Sequence, residues 1–472
     1  MIRKRHVPSA ICLLSFFVAV LALTVPASAE WKEKVLYSFQ GSPDGSFPGG
    51  GMVFDKAGNL YGVTLEGGSG SCPPAQCGIV YQLSPPAQKG GPWTETILYV
   101  FKGKPYGDGS SPAGTLIIDS SGNLYGATGY GGTGKCMIFG GVVGCGTVYE
   151  LSPPKKQGEA WTEKVLYSFK GDKDGQLAGE SLTFDTRGNI FGATAYGGGY
   201  GSCNEPYYQH CGAIYELGPP KTKGGRWTEK VLHGFKSGND GASPNGGLVL
   251  DNKGAIYGTT YAGGNQDCKY GIFVGCGTAF ELKPPTDKSG VWTEKQLHVF
   301  QNKSDGGEPD CGIIFDSAGS LYGTAGGGNV SGGGIVFRLT KGSNGRWQES
   351  VLHWFSNNGP GASLAGLLFD SAGNLYGTTI DGAHSSGTVF RLKPPKSRRA
   401  NWALSILYNF KGTPDGHHPA ASLIFDAAGN LYGTTEGGGS SNNGIVFEAS
   451  RSVDKTAGPS TPLLIPLGNE KL

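Results

Sequence analysis

The chain has 472 residues, of which 16 % are charged, and its formal net charge is +2. It offers neither a basic nor an acidic field, so nucleic acid and charged membrane surfaces are not indicated as partners. Glycine supplies 84 residues without a collagen-like period, and aromatic residues reach 11 %, which excludes both a fibrous and a disordered chain.

Residues 1–29 read as a secretory signal peptide. Arg3, Lys4 and Arg5 form a basic start, Ile11 to Leu23 form an apolar stretch, and "ASAE" offers a small-x-small cleavage site after Ala29. Cys12 lies within the apolar stretch without the small residue before it that a lipoprotein signal needs. No later stretch approaches the roughly 18 apolar residues of a membrane helix. The expectation is an exported chain, periplasmic or extracellular, with no membrane span once mature.

Residues 30–449 carry a repeat. "WKEKVLYSF" at Trp31 opens it, and tryptophan recurs at Trp93, Trp161, Trp227, Trp292, Trp347 and Trp402. Each copy adds three further β-like runs, such as "AGLLFD", "NLYGTT" and "GTVFRL" between Ala365 and Leu392. Branched and aromatic residues fill the runs, and Gly, Pro, Asp, Asn and Ser fill the gaps. No stretch sustains a helical period with caps. Four short strands in each of seven copies predict an all-β fold, a seven-bladed β-propeller with four antiparallel strands per blade. The "GLLFD" run is apolar at nearly every position and is placed innermost. The Trp run is placed outermost, because Trp161 to Phe169 alternates as a strand with one wetter face does. The last copy stops after "GIVFEAS" with no Trp strand behind it. Trp31 to Phe39 is therefore expected to close the ring within the blade of residues 421–449. Residues 450–472 form a polar tail.

Eight cysteines fall in close pairs, Cys72–Cys77, Cys136–Cys145, Cys203–Cys211 and Cys268–Cys276, in the loops between second and third strands of the first four copies. Export makes disulfides the expected chemistry, and the C-x-x-C spacing of a zinc site is missing. Cys311 stands where other copies have a small residue, as at Gly246 and Ala365.

The pattern "G-N-L-Y-G-T-T…G-G…G-T-V-F-x-L" resembles the GloVer-type tandem repeats of exported bacterial proteins, from residue 31 to 449. "D-x-x-G-N-L-Y" is similar to the inner hairpin of NHL-type propellers. The resemblance implies a propeller and, for the second family, ligand binding at one face; it implies no biochemical activity.

Two sets of aspartates recur. Asp55, Asp119, Asp185, Asp251, Asp316, Asp370 and Asp426 end the inner strand in every copy, each followed after two residues by Gly. They read as turn residues, since Asp accepts backbone bonds from the residue two on and the Gly one further takes positive φ. The second set precedes the inner strand: Asp44, Asp108, Asp174, Asp240, Asp305 and Asp415, each followed by Gly, with Pro360-Gly361 breaking the series. In a propeller these loops share one face with the second-to-third-strand loops. Six carboxylates around the channel mouth would suit Ca²⁺; the alternative is again a turn. His417 and His418 follow Asp415-Gly416 in one copy only, and His384 and His210 lie in other loops of that face. They are the candidates for a metal ligand or general base. His233, His298 and His353 take the place of an outer-strand tyrosine and read as packing.

The function expected is a monomeric, non-enzymatic recognition or scaffold module. It would bind carbohydrate, another cell-surface polymer or a protein through the loop face, where Tyr200, Tyr207 and Tyr208 lie. The alternative is a metal-assisted hydrolase or lyase with an Asp/His site at the channel mouth. The chain has no G-x-S-x-G and no H-E-x-x-H.

Overall fold

Each copy forms one four-stranded antiparallel sheet, and seven such sheets surround a central axis in this computed structural model. Residues 30–452 are described, apart from 71, 73–76, 89, 139, 157, 180, 202, 204–209, 271–272, 288–289, 328–331, 357–364, 382–385 and 398–399. From the axis outward, blade 1 consists of Val53–Phe54, Leu60–Thr64, Ile79–Ser84 and Thr94–Val100. Blades 2 to 6 repeat this order and end on Thr162–Ser168, Thr228–Gly234, Thr293–Val299, Trp347–Ser356 and Ala403–Asn409. Blade 7 takes Ile424–Phe425, Leu431–Thr435 and Ile445–Arg451 from one end of the repeat and its outer strand, Trp31–Ser38, from the other. Trp31 stands opposite Arg451 and Ser38 opposite Ile445, so the ring is closed by strand pairing.

The stretches leading into the inner strands touch from blade to blade around the axis. A Cβ on Gly50 would lie 2.3 Å from the Gly114 carbonyl oxygen, and one on Gly246 (φ +83°) would lie 2.4 Å from the Gly312 nitrogen. Only glycine allows this approach. The core lies between blades rather than at the axis. Leu36, Phe39 and Val446 of blade 7 pack on Leu60, Ile79, Tyr81 and Leu83 of blade 1, and an equivalent cluster fills each of the other six interfaces. The outer-strand phenylalanine meets the next blade's third-strand aromatic edge to face, as Phe39 with Tyr81 at 5.1 Å and Phe410 with Phe447 at 5.0 Å. The glycine of "NLYG" follows from this packing: a Cβ on Gly62 would sit 2.4 Å from the Tyr81 hydroxyl oxygen.

The alternation expected along the Trp run breaks at one place. Val148 pairs with Tyr167 but Tyr149 with Val165, so Leu166 is bulged out of register. The bulge turns Leu166 into the core beside Phe169. The same shift occurs in all seven outer strands.

The inner hairpin is held as a turn. The Asp55 carboxylate accepts from the Ala57 and Asn59 N–H groups at 2.8 and 2.9 Å, the Asn59 amide at 2.8 Å and the Tyr61 hydroxyl at 3.0 Å. Burial pushes the Asp55 carboxyl up, but these bonds outweigh it and hold it below the usual range. Asp119, Asp185, Asp251, Asp316, Asp370 and Asp426 repeat the backbone bonds.

All four cysteine pairs form disulfides, which fits an oxidising compartment. Among the described residues no helix is long and apolar enough to cross a membrane. The segment read as a signal peptide, and the tail from residue 453 onward, lie outside the described residues.

Candidate binding face

The loops from outer to inner strand and those from second to third strand lie on one face and touch. A Cβ on Gly103 would lie 2.6 Å from the Cys72 sulfur, and one on Gly171 would lie 3.0 Å from the Cys136 sulfur. The six Asp-Gly aspartates belong to this face, but each is drawn toward the outer strand of the blade its loop leaves. The Asp44 carboxylate accepts from the Tyr37 hydroxyl at 3.0 Å and the Gln40 N–H at 2.8 Å. Asp108, Asp174 and Asp415 accept from Tyr99, Tyr167 and Tyr408 at 2.8, 2.7 and 2.9 Å. In the next positions His233 and His298 replace the tyrosine, with Nε2 at 3.1 Å from Asp240 and 3.2 Å from Asp305. These carboxylates brace a loop against a strand. Among the described residues, no group of three or more His, Cys, Asp or Glu side chains is gathered to hold a metal.

A glutamate from the next blade faces each brace. Glu95 is pushed up to about 7, chiefly by burial and secondarily by Asp44. Burial likewise raises Glu33, Glu163, Glu229, Glu294 and Glu349 to about 7, with Asp415, Asp108, Asp174, Asp240 and Asp305 adding to it in turn. At the interface of blades 5 and 6 the glutamate's place is taken by Leu404. The Pro360-Gly361 stretch that would carry the facing aspartate lies outside the described residues.

Nearer the axis stands a second repeated feature. Phe47, Ser111, Leu177, Ser243, Glu308 and His418 all adopt left-handed φ, between 53° and 59°. Each is the residue just before the inner strand's lead-in, and each N–H donates to a carbonyl of the preceding blade's second-to-third-strand loop. The acceptors are Asn443, Cys77, Cys145, Cys211, Cys276 and Ser386, at 2.7 to 3.2 Å. A left-handed non-glycine residue costs about 1–3 kcal/mol. The conformation is kept six times while the side chain changes from Phe to Ser, Leu, Glu and His.

Two of these positions gather ionisable groups. The His418 ring lies 4.7 Å from that of His417, whose Nε2 is 2.9 Å from the Asn442 amide oxygen. Burial pushes the Glu436 carboxyl up, and His418 and His417 beside it oppose the shift. Glu308 is raised by burial and then by Asp310, against a bond from Tyr261. Asp310 is raised by burial, against a bond from the Asn245 amide of the neighbouring blade. Thus His417 and His418 come together with Glu436. His384 lies outside the described residues, as do Tyr207 and Tyr208. His210 sits apart, with Nε2 2.7 Å from Asp172. Glu308, Asp310, Tyr261, Asn245 and Glu436 were legible in the repeat: Asp310 stands where Gly49, Ala113 and Gly179 stand, and Glu436 where Leu65, Gly129 and Ala195 stand.

Apolar surface collects on the same face. Among the described residues, Phe47, Tyr106, Met137, Val142, Tyr200 and Val274 are six of the nine large apolar side chains left exposed. All six lie in its loops, on blades 1 to 4 or on the loop entering blade 1. A cavity of about 280 Å³ opens between Cys72, Lys104, Pro105, Tyr130 and Val142, and Tyr106, at 74 % exposure, follows Pro105 in the chain.

Among curated proteins no relative matches the chain. Of solved structures, an ulvan lyase, described as a new family of polysaccharide lyase, PL25, aligns at TM-score 0.51 and 10 % identity over 91 % of this chain and 100 % of its own. A second structure of such a lyase, bound to -[GlcA(1-4)Rha3S]-, aligns at TM-score 0.50 and 10 % identity over the same shares. A protein of unknown function from Dyadobacter fermentans DSM 18053 aligns at TM-score 0.42 and 13 % identity, over 89 % of this chain and 97 % of its own. At these identities the likeness is one of fold. The Gloeobacter/Verrucomicrobia repeat model matches residues 23–202, 136–349 and 343–458. With that pattern running through all seven blades, the chain belongs to the Gloeobacter/Verrucomicrobia repeat family.

Proposed function

We propose that this protein is an exported, monomeric recognition module that binds polysaccharide, without chemical turnover, across the loop face of blades 1 to 4. The observation that carries the reading is the gathering of exposed apolar side chains on that one face, with Tyr106 and Tyr200 at 74 % and 54 % exposure. Exposed apolar side chains concentrated on one face suit an interaction surface better than the same residues scattered over the whole protein. Tyrosines suit a sugar ring, which offers an apolar face and a polar edge. Disulfides fix three of these loops in place, so little loop entropy is lost on binding. The ulvan lyase of like fold is seen bound to a sugar polymer, which is compatible with this use of the architecture.

The test is affinity electrophoresis of the purified protein through gels containing a panel of neutral and acidic polysaccharides. Retardation by at least one polymer is expected, with its loss in Tyr106→Ala and Tyr200→Ala. No retardation by any polymer, or equal retardation of both variants and the parent, contradicts the proposal.

A further inference from the structure

Among the described residues, the ring closure by Trp31–Ser38 leaves an opening beside blade 7 where the other blades have a third-to-outer-strand connection. In blades 3 and 4 a third-strand glutamate faces an outer-strand lysine, Glu216 with Lys230 and Glu281 with Lys295. Each lysine ammonium then reaches over to the next blade and donates to a carbonyl in its third-to-outer-strand connection, Gly290 at 3.3 Å and Gly345 at 3.2 Å. Blade 7 has no such connection. Its third strand ends at Arg451 and its outer strand begins at Trp31, and near this point the two are linked by the Ser452 N–H to the Glu30 carbonyl at 2.9 Å.

Blade 6 carries a reversed charge beside this opening, an exchange it shares with blade 5, where Arg338 stands opposite Ser350. The residue in the glutamate's place is Arg391, and the residue in the lysine's place is Ser405. Arg391 has one long bond, Nη2 to the Ser405 hydroxyl at 3.4 Å, and among the described residues its buried Nε has no partner. Between the two outer strands opens a groove of about 660 Å³, lined by Arg391, Arg451 and Lys411 against a single acid, Glu30. The Arg451 guanidinium lies over the Trp31 ring, 5.2 Å from its centroid, which holds it at the groove wall. Two guanidiniums and an ammonium around a polar trough form an oxyanion site, because the guanidinium fork matches a carboxylate or sulfate. The volume falls within the roughly 300–1,000 Å³ of ligand sites, room for a short run of sugar rings.

We propose that this seam groove is a second glycan subsite, which holds a carboxylate or sulfate ester of an acidic polysaccharide between Arg391 and Arg451. The choice of a glycan rests on the carbohydrate reading above; the oxyanion chemistry stands on the groove itself. An anionic chain anchored here at the rim would reach the protein's edge while the loop face grips a neutral stretch.

The experiment measures binding of polygalacturonate (carboxylate), dextran sulfate (sulfate ester) and dextran (neutral) to the whole protein at one low salt concentration. Arg391→Gln, Arg391→Lys, Arg451→Gln and Tyr106→Ala are compared with the parent. Arg391→Gln and Arg451→Gln are each expected to weaken the preferred acidic polymer roughly tenfold or more, the loss of one charge-assisted bond, and to leave dextran unaffected. Arg391→Lys should recover part of the loss, and the better of the two acidic polymers identifies the oxyanion. A loss confined to Tyr106→Ala overturns the seam subsite and leaves the loop face standing. A loss confined to the two arginine variants supports the seam and overturns the loop face. Equal weakening of dextran, or stronger binding of polyglutamate than of either acidic glycan, overturns the assignment. Should Arg391→Gln fail to fold, Arg451→Gln at an exposed position carries the same test.

Discussion

Blades 1 to 4 and blades 5 to 7 share one skeleton and differ in what stands on it. In both halves a left-handed residue donates its N–H to a carbonyl of the preceding blade. The acceptor is a disulfide cysteine, Cys77, Cys145, Cys211 or Cys276, in one half, and Ser386 or Asn443 in the other. The carbonyl is therefore the architectural element and the sulfur an addition. Disulfides accompany the loops that expose Met137, Val142, Tyr200 and Val274. The comparison teaches that the fold resides in what the copies share and the proposed binding surface in where they differ.

If the halves share a core, equal damage to it should cost equally. Phe101→Ala between blades 1 and 2 and Phe410→Ala between blades 6 and 7 each empty a fully buried aromatic site. Each is expected to lose about 3–5 kcal/mol in urea unfolding. A large gap between the two would break the equivalence. The disulfides should separate the halves instead. Replacing Cys136 and Cys145 together by serine opens a link of sequence separation 9 and is expected to cost about 2–3 kcal/mol in the loop-entropy model.

The half-buried glutamates give a pH signature that six interfaces share and one lacks. The folded state holds the Glu95 proton more tightly than the unfolded chain, with about 7 in place of 4.5. Between those values the unfolded state binds fewer protons, so stability falls as pH rises through this window and levels off above about 7. Glu95→Gln should remove that share of the slope and be more stable than the parent above about pH 7. Leu404→Glu, at the interface between blades 5 and 6, should destabilise more at about pH 8 than at about pH 5, measured by thermal melts. The smallest effect on stability belongs to Tyr106→Ala, within about 0.5 kcal/mol at a surface site, alongside the loss of glycan retention.

The blade count, strand order and closure by Trp31–Ser38 were legible because the tryptophan period and the missing last Trp strand are properties of the chain alone. The bulge at Leu166 was not, since a strand of alternating residues looks regular until its partner sets the register. The Asp-Gly residues were legible as a set but not in direction. Only the fold shows that Tyr37 and His233, each seven residues upstream, draw the carboxylates outward. Glu436 and Asp310 break their repeat columns and could have been found there but were not singled out, whereas the seam groove needed Trp31–Ser38 to pair with Ile445–Arg451 before Arg391 and Arg451 could line one groove.

The most direct measurement is backbone hydrogen exchange of the whole protein with and without a retained polysaccharide. Slower exchange is expected in residues 103–110, 132–146 and 197–203, with blades 5 to 7 unchanged on that face. Protection confined to the loops of blades 5 to 7, or none at saturating polymer, would contradict the assignment of the binding face.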